Sequence, residues 1–185
     1  MCRYPGNGTD PLVGVIMGSD SDLPIVGHAS EVLENFGVPH EVGIVSAHRT
    51  PDIMELYAET AAKRGIMAII AGAGGSAHLP GMTAAYTTLP VIGVAVETSS
   101  DATNSALGSM IKMPEGTPLA VTGKNAAAAG NAALLAIRIL AITNPELAKK
   151  LQEYAQRQAA KVLSANGRLN VLGVHKYIAN PDDME

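Results

Sequence analysis

The sequence has a single cysteine, no tryptophan and only one phenylalanine among its 185 residues. Cys2 alone cannot form an intrachain disulfide, which fits a reducing compartment. The residues from Met1 to Gly8 lack the apolar run of a secretory signal, so we expect a cytoplasmic protein. No stretch approaches the roughly 18 uninterrupted apolar residues of a transmembrane helix, so no membrane partner is expected.

The chain is also poor in charge. Lysine and arginine number 13 against 17 aspartate and glutamate, a formal net charge of −4. A mildly acidic chain is a poor partner for nucleic acid or anionic lipid. Charged residues make up 16% of the chain, below the usual share of about 25%, and so little charged surface favours burial in an oligomer.

Short apolar runs alternate with helical stretches along the chain, the pattern of a parallel α/β sheet. Several runs are apolar at successive positions, which indicates strands covered by helices on both faces. We therefore predict a three-layer αβα sandwich, with residues 1–11 as a flexible tail, 12–165 as a single domain and 166–185 as a C-terminal tail. The predicted strands are Leu12–Met17, Glu41–Val45, Met67–Ala71, Pro90–Val96 and Pro118–Thr122.

Capping patterns locate the helices between these strands. One helix is expected from about Asp22 to Phe36, and a second from Thr50, as N-cap, to a stop at Gly65. In the second helix, Ile53, Tyr57 and Ala61 have the spacing of a face that packs on the sheet. An alanine-rich helix is expected over Asn125–Ile142. A last amphipathic helix restarts after Asn144, and we expect it to dock on a neighbouring chain.

Ligands of open parallel sheets bind where the strands end, and three strand-end loops here are rich in small and polar residues. They are Gly18–Asp22, Ser46–Pro51 and Gly72–Gly81. Small residues and the free amides of a helix start favour a phosphorylated small molecule. Arg49 is the sole cation at the ligand-facing edge of the first four strands, which suits one monophosphate held with Ser19 or Ser46. The alternative for Arg49 is a structural ion pair with a carboxylate.

The acidic residues of the first loop leave more than one interpretation open. Asp20 and Asp22 could bind Mg²⁺, or Asp22 could accept hydrogen bonds from ribose hydroxyls, which we favour. For Asp20, capping of the following helix is at least as good an explanation. No histidine and cysteine spacing resembles a zinc site. The sequence thus predicts no metal.

Two of the five histidines, His48 and His78, lie in strand-end loops. Since an imidazole titrates near neutral pH, either could transfer a proton. A competing hypothesis is a dinucleotide site, because Gly72, Gly74 and Ala77 match the G-x-G-x-x-G/A pattern and Glu97 follows at about the right distance. Against it, Pro80 interrupts the helix that should open there, and the loop follows the third strand instead of the first.

Taken together, three segments closely resemble the 5-(carboxyamino)imidazole ribonucleotide mutases of purine biosynthesis. They are Met17-Gly18-Ser19-Asp20-Ser21-Asp22, Ser46-Ala47-His48-Arg49-Thr50-Pro51 and the run from Ala71 to Met82, Ala-Gly-Ala-Gly-Gly-Ser-Ala-His-Leu-Pro-Gly-Met. The resemblance implies a flavodoxin-like fold, a homo-octamer and a nucleotide monophosphate substrate. It implies no metal or organic cofactor. The activity it implies is a carboxylate shift from the exocyclic nitrogen to the adjacent ring carbon.

The resemblance also implies roles for individual residues. His48 would be the proton shuttle, and the phosphate and ribose contacts would fall on Ser19, Asp22, Ser46 and Arg49. The glycine-rich loop would close over the imidazole and its carboxylate. Its implied substrate contacts are Gly74, Ser76, His78 and Leu79.

A related branch of the family carboxylates aminoimidazole ribonucleotide directly, and it has lysine after the motif histidine and lacks the glycine-rich loop. Arg49 and His78 therefore favour the mutases. The sequence departs from the family's pattern at Ala95, where proline is usual, and within Glu97–Met110 and Thr117–Ala129. The altered Glu97–Met110 segment keeps a non-catalytic nucleotide-binding module as a further alternative, beside the carboxylase and an NAD-dependent dehydrogenase.

Overall fold

The computed structural model describes residues 10–97 and 106–179. Its centre is one sheet of five parallel strands in the order β2-β1-β3-β4-β5. The strands β1, β3 and β4 are buried along almost their whole length, as expected for strands covered on both faces. The strands are β1 (Val13–Met17), β2 (His40–Ile44), β3 (Ala68–Gly74), β4 (Val91–Val96) and β5 (Ala120–Lys124).

Among the residues described, five α-helices belong to this sheet: α1 (Leu23–Phe36), α2 (Pro51–Ala61), α3 (His78–Ala85), α4 (Ala106–Met110) and α5 (Asn125–Ala141). Helix α1 contacts α5 on one face of the sheet, while α2, α3 and α4 share the core on the other. The three layers of the predicted sandwich are confirmed, and the sheet is all-parallel.

Two predicted local features are wrong in detail. On α2 the side chain of Ile53 is 45% exposed, and Met54 packs on the sheet beside Tyr57 and Ala61. The strand β3 also runs on to Gly74, three residues beyond the predicted end, because Gly72, Ala73 and Gly74 pair with the end of β4. Small residues in a buried strand carry no apolar run that could have indicated it.

Gly72 is packed so closely that it admits no side chain. A Cβ atom built there would lie 2.2 Å from the Cγ2 atom of Val26, a fully buried residue of α1. We expect Gly72→Ala to lower the free energy of unfolding by about 1–3 kcal/mol, the usual cost of overpacking. Urea denaturation measures this, with Gly27→Ala as the control, since its Cβ would make only ordinary contacts on α1. Equal stability of the two variants would contradict the packing argument.

Residues 141–185 form a second compact unit, whose described part contains α6 (Pro145–Ala179). Leu147 is its one buried residue among those described, and its helical backbone is interrupted at Gly173, which has φ of 72°. The helix therefore continues past residue 165, where we expected the domain to give way to a tail. The division into domain and tails and the docking of this helix on another chain stay predictions.

Candidate active site

A cavity of about 620 Å³ opens at the carboxyl ends of β1, β2, β3 and β4. It includes every predicted site residue except Ser76, which is exposed and does not line it. The predicted residues that do line it are Ser19, Asp22, Ser46, His48, Arg49, Gly74, His78 and Leu79. It is also lined by Gly18, Ser21, Ala47, Ala73, Ala77 and Val96, which we did not predict. All of these except Val96 belong to loops that the sequence singled out. Nothing in the sequence marks Val96, the last residue of β4, as a site residue.

The loop after β1 is held by its own polar side chains. Ser19 caps the short 3₁₀ turn Asp20–Asp22, and its backbone N–H donates to Oδ2 of Asp22 at 3.1 Å. Oδ1 of Asp20 accepts from the Ser19 hydroxyl and from the backbone N–H of Ser21, both at 3.0 Å. Asp20 is exposed and does not line the cavity, and its carboxylate bonds only within this turn, where Ser19 and not Asp20 is the capping residue.

Asp22 is the buried carboxylate of the cavity wall, with 8% of its surface exposed. Burial raises the pKa of its carboxyl group. Hydrogen bonds from the backbone of Ser19 and Gly18 oppose that rise, as does the positive charge of Arg49. The carboxylate therefore has donors on the protein side, and its position in the wall leaves it able to accept hydroxyl hydrogen bonds from a ligand.

The side chain of Arg49 bridges the loops that follow β1 and β2. Its Nη2 donates to the carbonyl oxygen of Gly18 at 3.2 Å, and its Nε donates to Oγ of Ser46 at 3.4 Å. Within the described residues it makes no ion pair, and it is the only lysine or arginine lining the cavity. The predicted alternative of an ion pair with a carboxylate is thus not seen in the described part of the chain.

Thr50 fixes the loop that carries Arg49. It stands at the N-cap position of α2, as predicted, but its side chain makes no capping hydrogen bond. Its hydroxyl instead donates to the carbonyl oxygen of Ser46 at 3.2 Å and accepts the Ser46 N–H at 3.1 Å. Both bonds close the loop on itself, and they hold Ser46 and Arg49 on the cavity side.

His48 and His78 meet directly although 30 residues separate them. Nε2 of His48 lies 2.6 Å from Nδ1 of His78, and the two rings are edge-to-face with centroids 4.9 Å apart. A hydrogen bond needs a donor and an acceptor, so one of these nitrogens carries a proton and the other accepts it. His78 reaches this place because Ala77, with φ of 46°, turns the chain sharply into α3.

The two glycines of the G-x-G-x-x-G/A pattern allow close packing within the sheet domain. Gly72 and Gly74 lie in β3, where Gly72 abuts Val26 and a Cβ on Gly74 would lie 3.0 Å from the carbonyl oxygen of Val96. In the described ranges, no group of three or more histidine, cysteine, aspartate or glutamate side chains could hold a metal ion. No helix within those ranges has the length and hydropathy to cross a membrane.

Comparison with known proteins places the whole sheet domain in one family. The family model described as AIR carboxylase matches residues 12–161. The N5-carboxyaminoimidazole ribonucleotide mutase of Thermotoga maritima is 52% identical over 91% of this chain and 97% of its own length. The mutase of Aquifex aeolicus is 60% identical over 76% of this chain and 83% of its own length.

The chain is also similar to a protein named as a carboxylase and to a solved structure. The phosphoribosylaminoimidazole carboxylase of Saccharomyces cerevisiae is 51% identical over 92% of this chain but only 29% of its own length. A crystal structure of PurE from Treponema denticola superposes with a TM-score of 0.75 at 28% identity, covering 86% of this chain and 98% of that one. The fold and the sequence thus agree on the same family.

Proposed function

We propose, since the chain belongs to the AIR carboxylase family, that its reaction is the one named for its mutase relatives. It is an isomerase that moves a carboxylate within a carboxyaminoimidazole ribonucleotide, from the exocyclic nitrogen to the adjacent ring carbon. The observation that carries the proposal is a pair of hydrogen-bonded imidazoles in the lining of a cavity that also contains the guanidinium of Arg49, the one lysine or arginine of the described wall.

The phosphate and ribose of the nucleotide are assigned to the β1 and β2 loops. Arg49 offers the one positive charge of the described cavity wall, the hydroxyl of Ser46 bonds to it, and Ser19 lines the same cavity. Asp22 would accept hydrogen bonds from the ribose hydroxyls. A single cation with two hydroxyls suits one monophosphate.

The imidazole of the substrate is assigned to the side of the cavity formed by His48, His78, Gly74 and Val96. There the reaction needs two proton transfers. His48, acting as an acid, gives a proton to the exocyclic nitrogen as the bond from nitrogen to the carboxylate breaks and carbon dioxide leaves. The adjacent ring carbon then attacks the carbon dioxide, and the proton on that carbon passes to His48, which restores the aromatic ring and the starting state of His48. General acid–base catalysis of this kind is worth roughly 10²–10⁴ in rate.

Carbon dioxide must stay in the cavity between the two steps. The apolar side chains of Ala73, Ala77, Leu79 and Val96 line this region and offer a carboxylate few hydrogen bonds. Poor solvation favours loss of the carboxylate as neutral carbon dioxide, and confinement beside the ring gives it a high effective concentration. Ser76 does not reach the described wall, and a role for it requires the loop to close.

The direct test of this proposal is conversion of the carboxyamino nucleotide by the purified protein without ATP or added bicarbonate. We expect ultraviolet absorbance to report formation of the carboxyaminoimidazole product in proportion to enzyme. Binding of nucleotide with no conversion would instead support a nucleotide-binding module. Saturable binding of NADH would support the dehydrogenase alternative.

His78 is expected to act through His48. In His78→Asn, the Nε2 atom of His48 loses the imidazole that shares its proton, and we expect kcat to fall about ten-fold, the worth of one hydrogen bond. Steady-state kinetics measures this change. If kcat matches that of the unaltered enzyme, His78 has no part in proton transfer.

A second candidate function is direct carboxylation of aminoimidazole ribonucleotide, because relatives about 50% identical are named carboxylases. Those matches span only about a third of the carboxylases, whereas the match to the Thermotoga mutase spans 97% of it. The mutase is therefore the better supported function.

The assembly and location of the protein complete the proposal. We take it to be a cytoplasmic homo-octamer that acts on a free nucleotide, with no nucleic-acid or membrane partner. Two observations support burial of surface in an oligomer. The chain has a low share of charged residues, and α6 exposes apolar side chains, including Val162, Leu163 and Val171. Native mass spectrometry should give eight subunits, and a stable monomer would contradict this assembly.

A further inference from the structure

The carboxyl end of β4 is tied to β5 by a polar cluster, Glu97, Lys124 and Asn125. Nζ of Lys124 lies 3.0 Å from Oε2 of Glu97, and Oδ1 of Asn125 accepts the backbone N–H of Glu97 at 3.3 Å. The two hydrogen-bonded contacts therefore join the residue after β4 to the last residue of β5 and the first residue of α5.

The cluster lies where the regular pairing of the two strands breaks. Gly93 pairs with Val121, but two residues later Ala95 pairs with Lys124, which is a register shift of one residue. The backbone is tightly turned there, with φ of 117° at Gly123 and 65° at Asn125. Asparagine is one of the few residues that tolerates this left-handed conformation. Its side chain then supplies a bond from the first residue of α5 to Glu97, the residue that follows β4.

The hydrogen bond between Glu97 and Asn125 is one residue away from the cavity. Val96 precedes Glu97 and lines the cavity, and its carbonyl oxygen lies 3.0 Å from where a Cβ of Gly74 would be. With contact this close, a shift of Val96 must move Gly74 or open a gap beside it. Among the described residues, the non-glycine residues with positive φ are Asn125 and Ala77, which lines the cavity. Such backbone conformations persist only where the surrounding structure holds them in place.

We infer that Asn125 is a positioning residue for the substrate's imidazole: through the Glu97 N–H it holds Val96 in the cavity wall. The inference rests on the proposed function, which assigns the imidazole to the Val96 side and the phosphate to Arg49. The ion pair of Lys124 with Glu97 is a weaker second attachment. The Lys124 side chain is 57% exposed, and water and salt screen such pairs.

The test compares three variants at one position. Asn125→Gly keeps the left-handed backbone but loses the acceptor, Asn125→Asp keeps both, and Asn125→Ala loses both. Two probes separate the ends of the cavity: ribose 5-phosphate for the phosphate side, and the carboxyaminoimidazole product for the whole site. Isothermal titration gives both dissociation constants, and thermal unfolding reports stability.

For Asn125→Gly we expect product binding to weaken about three- to ten-fold, the effect of one hydrogen bond, with ribose 5-phosphate bound within two-fold of the original. Asn125→Asp should restore product binding, and Asn125→Ala should be at least as impaired as the glycine variant. Lys124→Gln should cost less than about three-fold, because exposed ion pairs contribute little. Lys149→Gln, which removes an exposed i,i+4 pair on α6, is its control and should change neither constant.

Three results would overturn the inference while leaving the proposed function intact. They are unchanged product binding in Asn125→Gly, equal weakening of both probes together with lower stability, and failure of Asn125→Asp to restore binding. Failure of the unaltered protein to bind or convert the nucleotide would instead overturn the proposed function, and this inference with it.

Discussion

His48→Asn is expected to lower kcat by about 10²–10⁴-fold, the usual contribution of a positioned acid and base. An asparagine side chain can still hydrogen-bond to Nδ1 of His78, but it cannot take and return a proton at neutral pH. Since Arg49, Ser19 and Ser46, the assigned phosphate contacts, are all retained, the dissociation constant of the product should change little. Steady-state kinetics and titration calorimetry measure the two effects separately.

The matched control is His28→Asn. His28 pairs with Glu31 at 2.8 Å on α1 and does not line the cavity, so its loss should leave turnover unchanged. Near-normal turnover by His48→Asn would remove this imidazole from the chemistry. A loss of nucleotide binding equal to the loss of turnover would make it a binding group instead.

Arg49→Gln is expected to raise the KM for the nucleotide by about 10²-fold, because two charge-assisted hydrogen bonds to phosphate are lost and no other lysine or arginine lines the described cavity wall. The kcat should fall far less, since the phosphate is distant from the reacting atoms. Calorimetry with ribose 5-phosphate should give a similar weakening. The affinity of the unaltered enzyme for the nucleotide should also decrease as salt is added, because salt screens the attraction between Arg49 and the phosphate.

The control for Arg49 addresses its contacts within the protein. Because its guanidinium bonds to Gly18 and Ser46, a variant could weaken binding simply by loosening those loops. Arg138→Gln removes an equal charge from the exposed end of α5 and should leave KM unchanged. If Arg49→Gln weakens binding of the phosphate-free nucleoside as much as that of the nucleotide, Arg49 acts on loop structure and not on phosphate.

The sequence predicted the strand pattern because buried parallel strands leave continuous apolar runs, as in Val13–Met17. It failed where that physical basis is absent. Gly72 and Gly74 have no side chains to mark a strand, although their backbones extend β3. The strand β5 begins two residues after the prediction, and its side chains are half-buried or exposed, so hydropathy marks it poorly.

The site was accessible to sequence reasoning for a similar reason. The ends of parallel strands meet at one edge, so small and polar loops after three of them had to lie together. That argument located Arg49, His48 and His78 at the cavity. It could not give the 2.6 Å contact of the two imidazoles, which depends on the turn at Ala77. Nor could it find Val96, whose apolar side chain resembles any other core residue.

The most direct test of the account is the fate of the carboxylate during turnover. Substrate labelled with ¹³C in the carboxylate on the exocyclic nitrogen is converted in the presence of excess unlabelled bicarbonate and carbonic anhydrase. Mass spectrometry then measures the label in the product. A cavity that holds carbon dioxide until the ring carbon captures it predicts that nearly all label is retained. Dilution of the label to the level of the surrounding bicarbonate would show release to solvent, and the protein would then be a carboxylase and not a mutase.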